Sequence, residues 1–171
     1  MKKISIFYPF LLFVVLLQQS CSYSFTGAST LGMKTVSIQL FENNAPFVVP
    51  TLSLQLTEGL RERVRNQSKL NIIRSEADAS FEGRITEYSN KPISVQANDQ
   101  SSAGQERLTI TVSVKYVNSI TPKDSFEQSF TRYADYSLAG GRTFQAQEQG
   151  LIKLINAQLA EDIFNKAFAN W

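Results

Sequence analysis

Arg107-Leu108-Thr109-Ile110-Thr111-Val112-Ser113-Val114-Lys115-Tyr116-Val117 decides the fold. Leu108, Ile110, Val112, Val114 and Tyr116 fall on one side of an extended chain. Arg107, Thr109, Thr111, Ser113 and Lys115 fall on the other. Such a strand has one dry face and one polar face, so its sheet needs a cover on one side only. A turn holding Pro122 and Lys123-Asp124 follows, and the run 126–133 becomes its hairpin partner. Upstream, the polar stretch 98–105 separates it from a strand that begins at Phe81, Gly83 and Ile85. That strand extends to Val95 and is bent near Asn90-Lys91-Pro92.

Further out the period changes. Leu52, Leu56, Leu60 and Val64 recur every four residues, which predicts an amphipathic helix from Pro50 to about Gln67. Gly59 weakens it only locally. Leu151, Ile155, Leu159, Ile163 and Ala167 do the same over 143–171, with Ile152, Leu154, Phe164, Phe168 and Trp171 widening the apolar face. Before the first helix, Val36, Ile38 and Leu40 alternate over 34–41, ended by Glu42-Asn43-Asn44-Ala45-Pro46; 70–74 is a further short strand. Two helices and one apolar sheet surface give an α+β two-layer sandwich. Both helices lie on one face of a mostly antiparallel sheet of about four strands, in a single domain covering 34–171.

The N-terminus is of a different kind. Met1-Lys2-Lys3 precedes a 14-residue, almost unbroken apolar run, Ile4 to Leu17, that contains Pro9. A membrane span needs about 20 residues, so 1–20 reads as a cleaved signal peptide. The run stops at Gln18-Gln19-Ser20-Cys21, and a small residue before the only Cys resembles a bacterial lipobox. Gln18 stands where a Leu is usual. Cys21 is then the acylated residue and 21–33 a Ser/Thr/Gly-rich tether, whose Tyr23 and Phe25 suggest partial packing.

Composition excludes several chemistries. The chain has 17 basic and 15 acidic residues and no His, which rules out His-based triads, His metal sites and a His pH switch. One Cys forms no intramolecular disulfide or thiolate cluster. Losing Lys2 and Lys3 with the signal leaves 15 basic against 15 acidic residues. That balance does not suit nucleic acid. Glu58, Glu62, Glu161 and Asp162 sit on helices among cations, and Asp78, Glu82 and Glu87 flank a strand without a supporting motif. Neither a catalytic signature nor a metal-ligand spacing is present, and no cofactor is implied.

Two polar constellations remain. Arg61, Arg63, Arg65, Lys69 and Arg74 crowd the end of the first helix and its sequel. They read either as a phosphate-binding cluster or as a solvated helix end, favoured by the helix dipole and neutralised by Glu58 and Glu62. Thr109, Thr111 and Ser113 line the polar sheet side. That side is either a solvent face or a surface that docks against something polar, such as the interior of an outer-membrane barrel.

Several stretches taken together resemble a known family. They are Ser20-Cys21-Ser22-Tyr23-Ser24-Phe25, Phe41-Glu42-Asn43-Asn44-Ala45-Pro46, Leu108-Thr109-Ile110-Thr111-Val112, Phe130-Thr131-Arg132-Tyr133-Ala134-Asp135 and the terminal stretch from Glu161 to Trp171. In order and spacing they resemble the LptE family of lipopolysaccharide-assembly lipoproteins, in its Bacteroidetes-type form. The resemblance implies a non-catalytic outer-membrane lipoprotein, with two helices on a sheet of about four strands. It implies a place in the lumen of the LptD-type β-barrel, and lipopolysaccharide as partner. Cys21 carries over as the lipid-attachment residue; no ligand-binding position does. The ten positions after Cys21 hold no acidic residue, which favours the periplasmic side over surface export. An accessory subunit of another secretion or barrel-assembly complex, and an envelope hydrolase, are the competing readings.

Overall fold

The computed structural model describes residue 30, residues 32–93 and residues 104–169. The signal peptide, Cys21, most of the tether, Val95 and Trp171 lie outside the described residues. Six strands and two long helices follow in the order β1 (Thr35–Ile38), β2 (Glu42–Asn43), α1 (Leu52–Gln67), β3 (Asn71–Ile73), β4 (Ala79–Pro92), β5 (Gln105–Asn118), β6 (Phe126–Ser137) and α2 (Phe144–Phe168). They form one sheet of order β3-β1-β4-β5-β6, with β2 beside β4.

The two-layer α+β architecture is as read from the sequence. The sheet is larger than expected: it has six strands rather than about four, and beside the long antiparallel strands it carries short parallel ones, so it is mixed rather than purely antiparallel. β3, β1 and β4 run parallel, as do β2 and β4; β4, β5 and β6 are antiparallel. The reason lies in the connections. α1 carries the chain back between β1 and β3, so β3 must run parallel to β1.

Residues 74–78 then bring the chain back again, and one carboxylate holds them. Asp78 Oδ2 accepts from the backbone N–H groups of Lys34 and Thr35 at 2.8 and 2.9 Å, and from Thr35 Oγ1 at 3.0 Å. Those bonds hold its carboxyl below its ordinary value. A depressed carboxylate stabilises the fold above its unfolded-state pKa, and that contribution fades as pH falls through the folded one.

β5 behaves as its alternation demands. Leu108, Ile110, Val112, Val114 and Tyr116 are all fully buried beneath the helices. α1 buries Leu52, Leu56, Leu60 and Val64; α2 buries Ile152, Ile155, Leu159, Ile163 and Phe168 among others. Leu154, expected on the apolar face of α2, is 51% exposed, because it projects opposite Ile155 and Leu159. An aromatic cluster of Phe81, Tyr116 and Phe168, with centroids 4.7 to 5.9 Å apart, closes the core beneath the end of α2.

The alternation fails at one place. Leu40, expected in the core with Val36 and Ile38, is 58% exposed, and Phe41 takes the buried slot instead. The chain leaves the ladder here, and α1 supplies what the ladder no longer does. Phe41 N–H donates to Thr57 Oγ1 at 3.0 Å, and Ser53 Oγ donates to Phe41 O. The Phe41 ring lies against Gly83 of β4, where an added Cβ would stand 2.7 Å from Phe41 Cε2. Only glycine permits that approach.

At the other side of the sheet, β6 is an edge strand, in unbroken register with β5 from Phe126 to Ser137. β4, by contrast, has a register irregularity between Ile85 and Glu87, beside the point where β2 stops.

Two outcomes follow for stability. Gly83→Ala should cost about 2 kcal/mol in urea unfolding, the range for overpacking a filled core, and Phe41→Leu in the same chain should recover part of it. Asn156 of α2 is buried with neither Oδ1 nor Nδ2 partnered among the described residues. A buried unpaired amide costs about 1–3 kcal/mol, so Asn156→Leu should raise the unfolding midpoint.

Candidate docking face and cationic groove

The helices cover one side of the sheet, and the other is polar. Its middle row is the outward side of β5. Thr111 stands between Glu87 of β4 and Thr131 of β6; Thr109 between Ser89 and Tyr133; Ser113 between Arg84 and Ser129. Thr111 Oγ1 donates to Glu87 Oε2 at 3.0 Å and meets Thr131 Oγ1 at the same distance. Thr109, Thr111 and Ser113 thus form one hydroxyl row, half-exposed along its length.

Charges bracket the row and mostly neutralise one another. Arg107 makes a bidentate pair with Asp135, at 2.6 and 2.9 Å, and its guanidinium lies 3.8 Å from the Tyr133 ring centroid. The pair holds the Asp135 carboxyl below its ordinary value and raises the Arg107 guanidinium. At the other end Arg84 reaches Glu127 at 3.7 Å, and Lys115 lies in register between Glu82 and Glu127. These side chains offer many donors and acceptors and little net charge. Among the described residues no group of three or more metal-ligating side chains comes together.

The sequence cluster Arg61, Arg63, Arg65, Lys69 and Arg74 is divided by the fold. Arg63 turns toward α2 and meets Glu161 at 3.5 Å. Lys69 is exposed and outside the groove that the others line. Arg61 is largely structural: it bonds Glu58 Oε1 at 2.5 Å and donates from Nη2 to Ile38 O at 2.6 Å. That carbonyl needs a donor because β3 pairs with β1 only as far as Ser37. Arg61, Arg65 and Arg74 share a groove of about 490 Å³ with Leu40, Ile72 and Ile73.

The apolar lining was not readable in advance. Leu40 alternates with core residues in the sequence, and nothing in 70–74 sets Ile72 and Ile73 beside it. The best available signal was Arg74, an isolated cation directly after two isoleucines.

A comparison with curated proteins gives no significant match. Among solved structures, a minor lipoprotein from Acinetobacter baumannii is similar with a TM-score of 0.51 at 17% identity, over 78% of this chain and 91% of that one. A hypothetical protein from Chlamydia trachomatis gives 0.53 at 12% identity, over 81% and 99%. At such identities the likeness is one of fold. The family model described as LptE, lipopolysaccharide-assembly, matches residues 33–167, and on that match the chain belongs to the LptE family.

Proposed function

We propose that this protein is a non-catalytic outer-membrane lipoprotein that seats its polar sheet face inside an LptD-type β-barrel and assists lipopolysaccharide assembly. Membership of the LptE family supports the general role. The observation that carries the docking face is the outward side of β4, β5 and β6. Three long strands present hydroxyls and self-paired ions there, with no helix over them. A barrel lumen is polar and lined by alternate strand residues. Arg84 and Arg107 of that face already hold carboxylate partners, which lowers the cost of desolvating them. In this reading residues 1–20 are removed, Cys21 is acylated, 21–33 tethers the domain 34–171, and the protein faces the periplasm.

Thr111→Arg tests the docking face. It places a cation in the middle of the hydroxyl row without touching the buried side. The variant should retain its circular dichroism and melting point and lose at least ten-fold in co-purification of a large outer-membrane barrel. Full recovery of the barrel would return this face to solvent. For the anchor, Cys21→Ser should abolish acyl labelling and release the folded domain from the membrane fraction; persistent labelling would contradict the assignment.

A further inference from the structure

The chain enters the domain at one end of the sheet, and three segments meet there. Residues 32–34 lead into β1. Lys34 O accepts from the N–H of Asn71, where β3 begins, at 2.9 Å. Asp78 O accepts from the N–H of Ser119, in the turn after β5, at 2.8 Å. A Cβ placed on Gly32 would stand 3.4 Å from Ile120 Cγ2. The entry segment and the β5–β6 turn are therefore neighbours.

That turn is tied from within. The buried Asn118 accepts through Oδ1 from the N–H groups of Ile120 and Thr121, at 3.0 and 2.8 Å, and its own N–H donates to Ser125 Oγ at 2.9 Å. Ile120 is nevertheless 50% exposed on this fixed turn, and Val117 just before it 37%. A single exposed apolar side chain is ordinary. Here its surroundings give it a use.

Four lysines stand around it. Lys34 precedes β1, Lys69 precedes β3, Lys123 lies in the turn, and Lys166 lies in the last turn of α2, 5.8 Å from the Phe126 ring centroid. All four are exposed, and none makes an ion pair among the described residues. Of the nearby carboxylates, Asp78 is bonded to the backbone of Lys34 and Thr35, while Glu76 and Asp124 are exposed. A half-exposed isoleucine ringed by long-stemmed cations suits an interface of hydrocarbon and phosphate.

The length of chain before the domain says which interface. Thr30 comes nine positions after Cys21, and nine residues reach at most about 30 Å. Anchored through Cys21, the domain would hold this end close to the leaflet. A link so short gives an effective concentration in the millimolar range, so even a weak contact would engage.

We propose that this end of the domain rests on the phospholipid leaflet that holds Cys21. Ile120 enters the interfacial layer, and Lys34, Lys69, Lys123 and Lys166 meet lipid phosphates around it. The inference rests on the acylation of Cys21 proposed above. The opposite end also exposes apolar side chains, Phe47 and Val48. They lie beside the start of α1, however, and its sixteen residues set them about 24 Å further from the entry.

The test uses the acylated full chain in vesicles of phosphatidylethanolamine and phosphatidylglycerol with brominated acyl chains, which quench tryptophan on contact. Trp171→Phe removes the one native tryptophan. In that background Ile120→Trp should be quenched at least two-fold relative to unbrominated vesicles, and Phe47→Trp should be unaffected. Lys34→Glu with Lys123→Glu should remove at least half of the quenching at position 120. Val117→Trp serves as a second reporter, with weaker quenching expected, if Ile120→Trp loses its circular dichroism.

Equal quenching at positions 120 and 47, or none at either 120 or 117, would overturn the proposal. So would quenching that ignores the double charge reversal. A blue-shifted but unquenched tryptophan at 120 would mean that protein, not lipid, covers this end. Acyl labelling and vesicle flotation are followed on the same samples. A labelled, floating chain without quenching sinks this contact alone and leaves the anchor standing; an unlabelled chain sinks both.

Discussion

Much of this fold hangs on two hydroxyls. Where β1 ends, the backbone of Phe41 leaves the sheet, and Thr57 and Ser53 of α1 supply the acceptor and donor the ladder would have given it. A buried backbone group without a partner costs about as much as a lost hydrogen bond. The break is therefore possible only with α1 seated directly above it. That contact fixes the helix against the sheet, drives the Phe41 ring onto Gly83 and turns Leu40 outward. The cationic groove is a by-product of the same geometry: β3 is too short to cover the end of β1, and Arg61 caps the carbonyl left over.

The two sides of the sheet answer to different rules. The helix side is chosen for volume, and its large residues are almost all fully buried. The outer side is chosen for pairing. Arg107 pairs across a strand with Asp135 and Arg84 with Glu127, and Lys115 lies in register between Glu82 and Glu127. Cross-strand pairs of this kind contribute only about 0.2–1 kcal/mol each, so they do little to hold the domain together. Their larger effect is on what the face can meet, since it carries polarity without a strong field.

Periodicity made the long elements legible. α1 ends at Gln67 where its four-residue repeat stops, and β5 alternates as its residues dictate. Of the short parallel pieces, β1 and β3 fall within the strands read over 34–41 and 70–74, whereas β2 lies where a break was read, and the direction of none was legible. β2 has two residues and β3 three, fewer than one alternation needs, and their direction is set by α1 and the Asp78 anchor rather than by their own composition. Leu40 misled for a related reason: a pattern of period two continues on paper after the strand has ended in space. The candidate sites divide the same way. Thr109, Thr111 and Ser113 share a face because they share one strand. The arginines came from one sequence cluster, and helix rotation sent Arg63 to α2 while Arg65 met Arg74 across a turn of chain.

The open edge of β6 has a consequence for separate copies of the protein. Twelve residues in unbroken register expose a line of backbone donors and acceptors with no bulge or proline among them. Such an edge is a template for any extended chain that reaches it. In the lipid-anchored form proposed above, confinement to a membrane surface would raise the frequency of encounters between copies, so crowding there would favour edge-to-edge association. The lifetime of the solitary folded state is then governed by surface density as much as by its stability.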